Sequence, residues 1–243
     1  MIRHSTFLVL AVAVALPLPA SAQSSGLGQV VAYPAEYERE QEQSQWCWAA
    51  TAQFTNAVMK LDGGQGIEQC QLANLRAEWC AQPDVDCSVG SEPYIQHTAN
   101  CCEDASAAAD TSGCNQTHYT PWMFASWGNF GLTSTRIAGE EVTWQDIKDS
   151  ISANPDAPKI INAGIRWESG GGHLVSITGY LEETVPTSAS GRWVKVFNPA
   201  RGGSQQWIQW EEFLGNDLGK KGAKKPVYAP HSIGGFYVDI RKT

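Results

Sequence analysis

The sequence predicts an α+β fold, on three observations. Between residues 41 and 155 small and apolar side chains recur with helical spacing, as at Ala50, Phe54, Ala57 and Val58. From Pro158 onward the texture changes to short runs rich in Val, Ile, Trp and Tyr, broken by Gly, Asn and Pro. A length of 243 residues, 42% of them hydrophobic, suits one large domain with a true core rather than a disordered chain. Helices first and antiparallel strands second is the order of an α+β architecture.

Taken in order, residues 1–22 carry Arg3 and His4, an apolar run from Phe7 to Leu18, and Ala20-Ser21-Ala22. That is the three-part form of a secretory signal, cut before Gln23. The run is short and interrupted by Pro17 and Pro19, so it does not read as a membrane helix, and no later stretch is apolar for long enough. The chain is therefore expected to be exported, to the periplasm or the medium. Residues 23–40 form a short leader in which Gln29 to Pro34 is a candidate edge strand.

A helix opens at Cys47, with Ser44 as a candidate cap, and Asp62-Gly63-Gly64-Gln65-Gly66 ends it. Glu68 to Trp79 reads as a short helix and Ala105 to Ala109 as an exposed low-complexity stretch. Tyr119 to Gly128 reads as a helix with Pro121 in its first turn. Thr143 caps a clearer helix, with Ile147 and Ile151 on one face. Strands are expected at 159–167, 173–180, 192–198, 205–210 and 235–240. Residues 41–155 thus form a helical, disulfide-rich part and 156–243 a β part.

Of seven cysteines, Cys70, Cys80, Cys87, Cys101, Cys102 and Cys114 cluster, and Cys47 lies apart upstream. In an exported chain this reads as three disulfides plus one free thiol. The pairing stays open, except that Cys101 and Cys102 are expected to take different partners, since a bridge between neighbours strains the backbone. A zinc site drawing on His97 or His118 competes with this reading. Against it stand the lack of any Cys-x-x-Cys pair and the oxidising compartment, so neither metal nor cofactor is expected. The net charge of −8 does not suit a nucleic-acid partner. The lysine-rich stretch Gly219 to Pro226 is the one basic patch. It reads as a solvated hairpin tip, with contact to an anionic partner or cell surface as the functional alternative.

The lone thiol has the surroundings of a nucleophile. Cys47 stands between Trp46 and Trp48 in the first turn of its helix, where unpaired N–H groups and the positive dipole end favour a thiolate. Such a cysteine needs an imidazole to take its proton and pass it to a leaving group. His4 leaves with the signal, His97 and His118 lie in the cystine-rich segment, and His231 sits in a Pro-Ser loop. His173 begins a strand after Gly170-Gly171-Gly172, which let the backbone approach closely and leave the ring open to a cleft. His173 is the favoured partner.

The words Gln41-Glu42-x-Ser44-x-x-Cys47-Trp48-Ala49 resemble the active-site segment of papain-like cysteine peptidases. They look closer to bacterial members, such as plant-pathogen effector proteases and bacteriocin-processing peptidases, than to plant papain. Plant papains carry a second cysteine three positions before the nucleophile, where this chain has Ser44. The strand from Gly172-His173 through Gly179-Tyr180 is similar to the histidine strand of that family.

The resemblance implies a two-lobe fold over a single catalytic domain, 41–243, with the cysteine on a helical lobe and the histidine on a sheet lobe. It also implies an oxyanion hole made by the Gln41 amide and the Cys47 N–H. Asn198, at the end of the next strand, becomes the third member that aligns His173. Pro199-Ala200 replaces the Ser-Trp that follows the asparagine in plant papains. The leader is too short for a folded inhibitory pro-domain. The implied function is a secreted, monomeric cysteine protease acting on protein or peptide substrates, without cofactor, nucleic acid or stable membrane insertion. Transfer or deamidation on the same triad, or a non-catalytic binding module on a papain-like scaffold, are the alternatives.

Overall fold

The computed structural model describes residues 27–59, 67–82, 85, 87, 95, 99–111, 113–117, 132–183, 191–200, 202–215 and 231–242. The signal-like segment 1–22, the expected helix at 119–128, His97, His118 and the basic stretch 219–226 lie outside the described residues.

Helices α1 (Cys47–Val58), α2 (Gln69–Cys80) and α3 (Ala105–Ala109) come first, and α4 (Trp144–Ser150) and α5 (Trp210–Phe213) later. The strands are β1 (Leu27–Val30), β2 (Leu132–Ala138), β3 (Ile161–Trp167), β4 (Gly172–Glu183), β5 (Gly191–Asn198), β6 (Ser204–Gln209) and β7 (His231–Lys242). They form one seven-stranded sheet in the order β2-β7-β3-β4-β5-β6, with β1 added to β4 where β3 has ended. Each described pairing is antiparallel. The architecture is α+β, with few helices on a mostly antiparallel sheet.

Local chemistry explains the elements nearest the site. The β3–β4 hairpin turns on Gly170 and Gly171, at φ 91° and 78°, values that only glycine adopts without strain. This turn sets the register that places His173 opposite Ile165. The two apolar faces of the sheet account for β4 and β5, whose Val175, Ile177, Val194, Val196 and Phe197 are all fully buried. Helix α1 is buried from Trp48 to Val58. Its Phe54 stacks on Phe197 of β5, with centroids 4.1 Å apart and planes 16° apart, and Tyr33 meets it edge-on at 4.9 Å.

A buried polar chain pins the same helix to the sheet. Thr51 Oγ1 donates to Leu174 O at 3.1 Å and Thr55 Oγ1 to Thr51 O at 2.8 Å. Asn162 Nδ2 donates to Thr55 Oγ1 at 3.0 Å, and Ser176 Oγ to Asn162 Oδ1 at 2.7 Å. These groups lie out of water, so each bond is needed to offset the cost of desolvating its partners.

Several expectations from the sequence need correction. Ser44 is not the cap of α1; Trp46 holds that position and makes no side-chain capping bond. Residues 41–155 are not purely helical, because β2 lies within them and pairs with β7. Its run Leu-Thr-Ser-Thr-Arg-Ile-Ala carries little strand signal, because an edge strand with one neighbour needs little apolar alternation. β1 lies earlier than the expected edge strand and is exposed along its length. Ala105–Ala109 is a short helix in which Ser106 and Ala109 are exposed, as expected, but Ala108 is buried. His231 is not in a loop; it opens β7, pairs with Trp167 and is buried. At two helix starts the outcome follows the sequence. Thr143 caps α4 through a capping box with Asp146, and α2 starts one residue after the expected Glu68, which forms its own capping box with Gln71.

Candidate active site

The cysteines pair as Cys70–Cys102, Cys80–Cys87 and Cys101–Cys114, which leaves Cys47 as the free thiol. Cys101 and Cys102 do take different partners. All six thiolates that a zinc site would draw on are consumed, and three disulfides point to an oxidising environment. Among the described residues no group of His, Cys, Asp and Glu is placed to hold a metal ion, and no helix is long and apolar enough to cross a membrane.

Cys47 is the first residue of α1. The backbone N–H groups of Leu174, of Trp48 and of Cys47 itself lie near its sulfur and favour the thiolate. Strand β5 ends at Asn198, so the edge of β4 at Leu174 has no strand beside it on that side. The start of α1 fills the place: the Leu174 N–H lies by the Cys47 sulfur, and the Leu174 carbonyl accepts from Thr51 Oγ1. The thiol is thereby seated beside the residue that follows His173. Burial pushes the Cys47 thiol above its ordinary pKa, and the three N–H donors only partly oppose that. The expected depression by the helix terminus is thus outweighed by desolvation.

His173 Nε2 lies 2.9 Å from Asn198 Oδ1. The Ala200 N–H donates to the same oxygen at 3.0 Å, which identifies that atom as the amide oxygen. With Oδ1 an acceptor, Nε2 of the neutral ring carries the proton and Nδ1 keeps its lone pair. Asn198 is 2% exposed, so this bond is sheltered from competing water. Trp167 lies nearly parallel to the His173 ring, with centroids 6.1 Å apart, and His231 stands edge-on to the far end of Trp167 at 5.9 Å.

Gln41 reaches the same corner through its backbone, whose N–H donates to Pro199 O at 3.0 Å, one residue from Asn198. Gly203 makes this approach possible. At φ 62° a Cβ there would come within 2.7 Å of the backbone at Arg39 and Glu40. The Gln41 side chain faces its own turn. Nε2 donates to Gln43 O and to Ser44 O, both at 2.9 Å, and Oε1 is buried with no partner among the described residues. A flipped amide would set oxygen against two carbonyls, so this orientation holds. Both amide hydrogens are therefore committed in the unliganded protein.

The cystine-rich segment, which lies outside the family resemblance, supplies the support around the cysteine. Trp46 Nε1 donates to Cys114 O at 2.9 Å and Trp48 Nε1 to Gln116 O at 3.2 Å. Asn115 Oδ1 accepts from Gln45 N at 2.9 Å, and its Nδ2 donates to Ser44 Oγ at 3.0 Å. None of these partners carried a signal in the sequence beyond proximity to Cys114. Trp167 could have been suspected, since it precedes the glycine hairpin that delivers His173.

The structure thus brings Gln41, Cys47, His173 and Asn198 to one corner, where α1 abuts the end of β5 and the start of β4. Such a corner holds a thiol, an imidazole of fixed tautomer and helix-terminal N–H groups, the parts needed for acyl transfer through sulfur. Comparison with protein-family models, with curated proteins and with solved structures finds no match for this chain.

Proposed function

We propose that the chain is a secreted papain-like cysteine protease, with the two-lobe fold that its sequence resemblance implies. The observation that carries the reading is the seating of the one free thiol against the Leu174 N–H, beside a histidine whose far nitrogen is held by Asn198. The His173 Nδ1 lone pair takes the Cys47 proton, and the sulfur adds to a peptide carbonyl of a protein or peptide substrate. The developing oxyanion is met by the Cys47 N–H. The Gln41 amide joins it by exchanging one of its two turn carbonyls for the substrate oxygen, a donor worth about 3 kcal/mol in such sites. The imidazolium returns its proton to the leaving amine, the C–N bond breaks, and water hydrolyses the thioester. Asn198 keeps the ring aligned through both proton transfers. No metal or organic cofactor enters the scheme.

The test is mass mapping after treatment with an epoxysuccinyl thiol reagent, without reductant, followed by profiling on a peptide library. The expected result is one adduct, on Cys47, and cleavage products that vanish in Cys47→Ala while the variant stays folded. Cleavage that persists in Cys47→Ala would end the assignment. A protein that takes no adduct would instead be a binding module on the same scaffold. Products that are deamidated or joined, rather than cleaved, would assign the triad to deamidation or transfer.

A further inference from the structure

We infer that Asn115, supplied by the cystine-rich segment, is a positioning residue for the Cys47 nucleophile. The inference rests on the reading of Cys47 as the nucleophile and adds a residue outside the triad. Helix α1 has no side-chain cap, and the local support for the residues that lead into Cys47 is the Gln41 amide on Gln43 O and Ser44 O. Asn115 adds support from across the chain. Its Oδ1 takes the Gln45 N–H, and its Nδ2 donates to Ser44 Oγ and, at 3.2 Å, to Ala109 O. At 4% exposure its amide has little competition from water.

The residues on either side extend the grip. Cys114 and Gln116 receive the indole N–H groups of Trp46 and Trp48, the two neighbours of Cys47. Attachments therefore lie on both sides of the sulfur-bearing residue, and all converge on positions 114–116. That stretch also has bonds of its own that do not involve α1. Cys114 is bridged to Cys101, the Asn115 N–H donates to Asp110 O at 3.0 Å, and Gln116 Nε2 donates to Gly113 O at 2.6 Å. A rigid support outside the helix sets the pitch of the first turn, and with it the angle at which the N–H groups and Leu174 meet the sulfur. Small errors in such placement carry large rate penalties.

The experiment is the rate of Cys47 alkylation by iodoacetamide across pH, with thermal unfolding measured in parallel. It uses the full chain with its disulfides intact. Asn115→Ala is expected to slow alkylation about tenfold and to distort its pH profile, whereas Asn115→Asp, which keeps the acceptor for Gln45, stays within about threefold of the parent. Ile147→Val, buried on α4 away from the site, is expected to lower the melting temperature without moving the rate. Should Asn115→Ala not fold, Ser44→Ala removes one Asn115 contact and is expected to slow the reaction about threefold. Parent-like rates in Asn115→Ala, or in Ser44→Ala where that variant is used, would overturn the positioning role. Equal slowing in Ile147→Val would also overturn it. A parent protein whose Cys47 does not react overturns the nucleophile reading and this inference together.

Discussion

At Cys47 two effects oppose each other. Removal from water disfavours the thiolate, N–H donors at a helix start favour it, and here removal from water prevails. A raised pKa means a smaller thiolate fraction at any given pH, so in the proposed mechanism the resting thiol passes its proton to the His173 imidazole. In His173→Ala, alkylation of Cys47 by iodoacetamide is therefore expected to be slow at neutral pH and to rise only through a midpoint above that of an ordinary cysteine. The parent, with His173 as base, should react at neutral pH. A pH–rate profile of both proteins checks this, and coincident profiles would remove His173 from the reaction. Asn198 serves the same chemistry at one remove. Its oxygen takes the Ala200 N–H and the His173 Nε2–H together, so the ring presents Nδ1 as the base.

Helix α1 is placed by packing and by polar bonds together. One side carries Thr51 and Thr55 into the chain of bonds ending at Asn162 and Ser176; another lays Phe54 on Phe197. Phe54 is 0% exposed and bridges the helix to the strand that ends in Asn198. Phe54→Ala is expected to cost about 3–5 kcal/mol, because it removes the stacked ring and leaves a cavity that rigid neighbours cannot close. Urea denaturation measures that loss, and a cost below about 1 kcal/mol would mean that the helix is held by its polar bonds alone. The β5–β6 turn contributes differently, by letting Gly203 come close enough for residues 39–41 to lie along it.

For the molecule as a whole, the disulfides fall within residues 70–114, and two of the three start from helix α2. Cys70–Cys102 closes a sequence separation of 32, whereas Cys80–Cys87 closes one of 7. Chain-entropy scaling makes the longer loop worth about 1.3 kcal/mol more. The double variant Cys70→Ser/Cys102→Ser is therefore expected to melt lower than Cys80→Ser/Cys87→Ser. Calorimetry under non-reducing conditions measures the difference, and the reverse order would show that native-state strain, not loop length, governs these bridges. The acidic charge of −8 favours solubility and disfavours nucleic acid, and it contributes nothing to the choice of fold.

Much of this protein was legible in its sequence because the relevant forces are local. A helix start at Cys47, a glycine-driven hairpin before His173 and a capped helix at Thr143 follow from backbone preferences over a few residues. The count of cysteines likewise announced three bridges and a spare thiol. Other features depend on groups distant along the chain. The polar edge strand β2 exists only because β7 offers it a partner, and the turn before Cys47, where the Trp46 indole has no acceptor to cap the helix, is bonded by Asn115 from far along the chain. The sign of the Cys47 shift was also beyond the sequence, since desolvation depends on what surrounds the sulfur in space. Local sequence thus determined which elements form and which side chains are chemically able. Only the tertiary structure decided which of them meet and how dry the meeting place is, because both depend on packing between segments that the order of residues does not set side by side.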